Sequence, residues 1–141
     1  MKLGDITDIA VSGLIAQRSR MALVASNVAN AETTRTREGG PYLRRDPVFE
    51  TRSVAKPFSS RLDRALKLVD VSQVRVDSRP PISRHVPGHP DTDAQGFVDF
   101  PRINLVEEIA DMMSASRSYE ANLLIMRKVR DMARAAVEIG R

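Results

Sequence analysis

The stretch from Asn104 to Ile139 constrains this chain more than any other, because no Pro or Gly interrupts it before Gly140 and one apolar heptad row runs its whole length. The row is Leu105, Ile109, Met112, Ser116, Tyr119, Leu123, Met126, Arg130, Ala133 and Val137. Alternating steps of four and three are a helical period. Asn104 followed by Glu107 has the shape of a capping box. Glu107, Glu108 and Asp111 come early while Arg127, Lys128, Arg130 and Arg134 come late, the order a helix dipole favours. At about 1.5 Å per residue the rod is on the order of 50 Å long. A second row, Val106, Ala110, Met113, Leu124, Val129, Met132, Ala136 and Ile139, lies beside the first. A single partner helix does not cover so much oily surface.

A second helical pattern occupies the start of the chain. Leu3, Ile6, Ala10, Leu14, Met21, Val24 and Val28 recur at helical spacing, with Gln17 the only gap. Around them stand small residues, Gly13 and Ala16 among them, that let another helix come close. Asn27 and Asn30 close the pattern, and Asn30 is expected as a left-handed C-terminal residue. Aromatics make up only 4% of the 141 residues, with no Trp, which suits long helices lying side by side better than a ring-filled globule.

The middle has no helical period. Residues 31–40 end in Gly39-Gly40 before Pro41 and read as a connector. Pro47 to Arg52 alternates, as do Leu66, Leu68, Val69, Val71, Val74 and Val76 in fragments, with Pro57 between them and Pro80-Pro81 after. His85 to Asp93 is turn-rich, and Gly96 to Phe100 reads as a last short strand. The expected fold is therefore mainly α: long N- and C-terminal helices packed as an antiparallel coiled-coil-like pair, with a small β or irregular middle region. The divisions are residues 1–30, 31–103 and 104–141.

Tests for chemistry return little. Asp91, Asp93 and Gly96 mimic the opening of a calcium loop, but Arg102 stands where a bidentate Glu belongs. His85 and His89 have zinc-like spacing, but Pro87, Gly88 and Pro90 forbid the helix that would align them. There is no Cys, no Gly-x-Ser-x-Gly elbow and no phosphate cradle, so no catalytic, cofactor or metal residue is assigned and no enzyme is expected. Residues 31–90 hold 12 basic side chains against 7 acidic ones, which raises a basic nucleic-acid-binding helical module as the alternative. Arg35, Arg37, Arg44, Arg45, Arg52, Arg61, Arg64 and Lys67 are interleaved with carboxylates and lack aromatic platforms, which favours a solvated or subunit-facing surface. Lys2, Asp5 and Asp8 break up the N-terminus, so it does not have the pattern of a cleavable secretory signal, and no run is long enough to span a membrane.

Several motifs carry a resemblance. The run Ser12 to Met21, then Ala25-Ser26-Asn27-Val28-Ala29-Asn30-Ala31-Glu32-Thr33, resembles the N-terminal signature of bacterial flagellar axial proteins. Its continuation through Gly39-Gly40-Pro41-Tyr42 is similar to the FlgC family of basal-body rod proteins. Pro87-Gly88-His89-Pro90-Asp91, Gly96-Phe97-Val98, Phe100 to Asn104, and Ala115 to Asn122 with Tyr119 inside it complete the resemblance in order. The family pattern differs at Val86, where it has Asp, and at Arg102, where it has Asn. The resemblance implies a subunit of the proximal rod, with terminal helices in a tubular core and the middle facing outward. It implies as partners copies of this chain, other rod subunits, inner-membrane ring and export-gate adapter proteins at the rod base, and the flagellar type III export apparatus. It implies no cofactor, no nucleic acid and no small-molecule substrate, and export to the basal body without a cleavable signal.

Overall fold

The computed structural model describes residues 3–53 and 66–139, with Leu3 described in its backbone alone. Pro57, Arg61 and Arg64, singled out above, lie outside the described residues. Helix α1 (Leu3–Ala29) is followed by strands β1 (Arg45–Ser53), β2 (Lys67–Val76), β3 (Ile82–His85) and β4 (Phe97–Phe100), then by helix α2 (Leu105–Ile139). The chain is mainly α with a small β middle. Both helices lie where their periods predict.

The two helix ends that face the middle of the chain are each closed by a side chain. Asn104 Oδ1 accepts the Val106 N–H at 3.1 Å and so caps the start of α2. At the end of α1 the expectation of a left-handed Asn30 is corrected, since among the described residues only glycines take positive φ. Asn30 instead donates its side-chain amide to the Ser26 carbonyl at 2.9 Å, and the Ala31 N–H reaches the Val28 carbonyl at 3.3 Å. Those bonds satisfy the last carbonyls without a left-handed turn.

The middle forms two antiparallel two-stranded sheets. In the larger, Arg45 pairs with Val76 and Ser53 with Lys67, with a bulge between Val48 and Phe49. In the smaller, Ile82 pairs with Phe100 and His85 with Phe97. Strand β3 has no alternation to announce it. Its signal was indirect, because a four-residue β4 cannot stand without a mate.

The larger sheet rests on α1. Ser12 Oγ accepts the Val69 N–H at 3.2 Å while donating to the Ile9 carbonyl, and the Arg20 guanidinium lies 5.0 Å over the Phe49 ring. Helix α2 packs on α1 as well. Gly13 meets Asn122 and Asn27 meets Glu108, fourteen residues apart on each helix and in opposite order, so the two helices run antiparallel and in step. That pairing places Leu3 opposite Met132, and α2 continues past it to Ile139.

The face that α2 turns inward departs from the expected row. Fully or partly buried positions follow Glu108, Met112, Ala115, Tyr119, Asn122, Met126, Val129 and Ala133. Four of the ten expected positions are there, Met112, Tyr119, Met126 and Ala133, and Ser116 and Leu123 are half-buried beside them. At Ile109, Ser116, Leu123 and Arg130 the preceding residue takes the inward place, and Leu105, Ile109 and Val137 are exposed. The expected row is the oilier one, yet the helix buries the row that can approach closely and bond to α1.

Candidate subunit interface

At the junction of α1, the connector and α2 sits a buried polar cluster centred on Asn27. Its Nδ2 donates to the Arg45 carbonyl at 2.9 Å and to Glu108 Oε2 at 3.0 Å. Its Oδ1 accepts from the Tyr42 hydroxyl at 3.1 Å and the Arg45 N–H at 3.0 Å. All four capacities of the amide are thus used. Tyr42 also shares a hydrogen bond with Ser26.

Glu108 is fully buried, with 0% exposure, and its second oxygen accepts from Arg44 Nε. Arg44 reaches Asp46 through Nη1 and approaches Asp111 at 3.8 Å. Burial works to lower the Arg44 pKa, but the hydrogen bond and charge of Glu108, with Asp46 and Asp111, raise it above its ordinary value. The guanidinium is therefore a permanent cation that neutralises a carboxylate removed from water. Arg44 and Glu108 were not singled out from sequence as packing residues. Their signal was the seven-residue recurrence of Glu108, Ala115, Asn122 and Val129 beside the oilier row.

Further along the pair the helices touch through small residues. A Cβ built on Gly13 would stand 2.8 Å from Asn122 Nδ2, so only Gly fits without displacing that amide. Ala10, Ala16 and Val24 are buried, while Ile6, Leu14 and Met21 are half-buried and Val28 is exposed. On α2, Met112, Tyr119, Leu123, Met126 and Ala133 are half-buried. Gln17, the gap in the α1 row, holds its Oε1 buried without a hydrogen-bond partner among the described residues.

The connector is tied down separately. Gly39 and Gly40 take φ of 90° and 73°, closing a tight turn in which Thr36 N–H reaches the Gly40 carbonyl before Pro41. Asp91 accepts the Thr34 hydroxyl at 2.7 Å and pairs with Arg35 at 3.6 Å. Asp93 Oδ1 takes the N–H groups of Gln95 and Phe97. The calcium-like carboxylates are thus occupied in holding the loop. Gly88 has φ 98° and Pro90 is exposed. His89 Nδ1 accepts the Asp91 N–H and its ring meets Phe100, while His85 packs edge-on against Phe97.

The nucleic-acid alternative finds no support in this geometry. Arg35, Arg44, Arg52, Arg75 and Arg79 each face a carboxylate, and Arg45 lies 5.6 Å over Tyr42.

Large apolar side chains remain exposed on both helices. Ile15 is 60% exposed on α1, and Val106, Ile109, Met113 and Leu124 are 75%, 53%, 51% and 55% exposed on α2. Between the helices, Ala25, Val28, Ala29, Ile109, Met112 and Met113 line an open apolar groove of about 340 Å³. No described helix is long and apolar enough to cross a membrane. A face of this size and chemistry on a chain that carries 28% charged residues is suited to another protein surface.

Comparison with known proteins is consistent along the whole chain. Residues 8–35 match the family described as flagella basal body rod protein, and residues 94–139 match the flagellar basal body rod FlgEFG protein C-terminal family. The flagellar basal-body rod protein FlgC of Borreliella burgdorferi is 38% identical, covering 99% of this chain and 98% of the relative. FlgC of Escherichia coli is 35% identical over 99% of each, and FlgC of Bacillus subtilis 34% over 95% of each.

Proposed function

The chain belongs to the FlgC family of flagellar basal-body rod proteins, and on that premise we propose how its helices build the structure it serves. It is a structural subunit of the flagellar basal body and not an enzyme. Its helix pair acts as a coiled-coil-like stave of the proximal rod, laid beside staves from copies of itself and from other rod subunits. Chemistry is replaced by geometry: a tube of interlocked helices transmits torque across the periplasm because each stave is rigid along its length and held by neighbours on its open side. The two small sheets face outward. The base of the rod meets adapter proteins of the inner-membrane ring and export gate, and subunits arrive through the flagellar type III apparatus.

The observation that carries this reading is the open apolar groove between the helices, with Ile109 and Met113 more than half exposed. A chain folding for itself would not leave so many large side chains aligned in water. Ile109 and Met113 both line the groove and neither belongs to the buried seam. Ile109→Asp with Met113→Asp is expected to give a monomer with unchanged melting temperature that does not enter the rod and does not restore swimming to cells lacking the native gene. Normal swimming with both substitutions would remove the support for assembly through this groove.

A further inference from the structure

Helix α2 offers two seams, and the buried one is the less apolar. Leu105, Ile109, Leu123 and Val137 belong to the seam left outside or at the edge, and Glu108, Ala115, Asn122 and Val129 to the seam turned in. The two differ by a roll of roughly 50° about the helix axis, half of one residue's step. Area favours the rolled state where Ile109 and Leu123 would replace Glu108 and Asn122, and disfavours it where Ser116 and Arg130 would replace Ala115 and Val129. Something specific opposes it. Rolling would carry Glu108 away from Asn27 and Arg44, breaking a fully buried carboxylate from both of its partners.

We propose that Glu108, held by Asn27 and Arg44, is a rotational pin that selects the face of α2 and keeps the apolar groove open for assembly. The inference rests on the rod-subunit reading and adds a determinant to it. Burying a charge to choose one arrangement among several of similar energy is a known use of polar groups in helix pairs, at a cost in stability. The location fits the role. Ile109, Met112 and Met113, which line one wall of the groove, follow Glu108 within five residues, and Ala25, Val28 and Ala29 on the other wall bracket Asn27. A roll of α2 would turn Ile109 inward and fill the groove from within. Glu108 is thus a positioning residue and does not itself meet the neighbouring subunit.

The test is a pair of disulfide reporters in the full chain, which has no native cysteine. Gly13→Cys with Asn122→Cys reports the observed face, since a Cβ at position 13 lies 3.2 Å from Asn122 Cγ. Gly13→Cys with Leu123→Cys reports the rolled one. In the otherwise native chain the first bridge forms on oxidation and the second does not. In Arg44→Met with Glu108→Ala, which removes both members of the ion pair without adding apolar bulk to the inward seam, the preference reverses and swimming is lost. Arg44→Lys, which keeps a donor facing Glu108, retains the native bridge and swimming. Retention of the native bridge in the Met/Ala variant overturns the proposal. So does loss of its helical signal, because the pair would then be holding the fold and not choosing a face. The bridges are read on monomer, so a failure of rod assembly through the open side leaves this result standing and is detected separately by the Ile109 and Met113 substitutions.

Discussion

Along its inner face the helix pair brings Ala10, Gly13, Ala16 and Asn27 against Glu108, Ala115 and Asn122, whereas its outer face leaves Ile15, Val106, Ile109 and Leu124 in water. Fully burying one large aliphatic side chain is worth about 1.5–3 kcal/mol, so a solitary globule would put these faces the other way round. The inner face is chosen for closeness and for bonds that fix position. The outer face is chosen for area and is left for what docks on it. The contrast teaches that this chain is half of a packing problem whose other half lies in its neighbours.

The largest break in that contrast comes at its polar end. Asn27→Ala removes four hydrogen bonds, leaving the Arg45 N–H and carbonyl and the Glu108 Oε2 acceptor without that partner and the Tyr42 hydroxyl with Ser26 alone. The expected loss is about 3 kcal/mol, read as a lower urea midpoint at constant slope. A loss no larger than that of an ordinary surface substitution would mean that the cluster is not closed to water.

Bulk at the close approach comes next. Gly13→Leu or Ala16→Leu drives a branched side chain into α2, at a cost of about 2 kcal/mol in the monomer, and rod incorporation should fall while secretion is unchanged. Helices that tolerate either substitution freely are not in contact there. The contrast can also be sharpened in the stabilising direction: Gln17→Leu removes a buried oxygen without a partner among the described residues and should raise stability by about 1 kcal/mol in the same titration.

The smallest effect belongs to the connector, away from both faces. Arg79 donates to both oxygens of Asp77 and, through its N–H, to one of them again, which lowers the carboxyl from 3.8 to about 2. A folded-state pKa below the unfolded one stabilises fully above about pH 4, and that stabilisation is lost as pH falls from 3.8 toward 2. Asp77→Asn should flatten a slight acid-side slope in that window, an effect kept small by the ion pair's access to solvent.

Legibility in the sequence varied with how local the signal was. Both helices were plain, because a 3.6-residue period repeats over 27 and 35 residues and Pro and Gly stay out of the way. Strands β1, β2 and β4 were visible as alternation, and β3 was not, because Ile82-Ser83-Arg84-His85 alternates only against a partner sixteen or so residues on. The close approach at Gly13 could be anticipated from its small neighbours, while its partner Asn122 could not. Asn30 was assigned to the right place and the wrong conformation, since a side-chain bond to Ser26 served the helix end without a left-handed turn.

The sequence by itself determined that two long amphipathic helices flank a short β middle and that their apolar surface exceeds what one pairing can cover. Periodicity and composition are properties of each segment alone, so they survive without knowledge of its neighbours. Only the tertiary structure decided which side of α2 turns inward. Two competing rows lie about half a residue's step apart on the same helix, and the choice rests on a carboxylate meeting an amide 81 positions earlier and a guanidinium 64 positions earlier. No local pattern encodes contacts at that separation; they exist once the chain has folded back on itself.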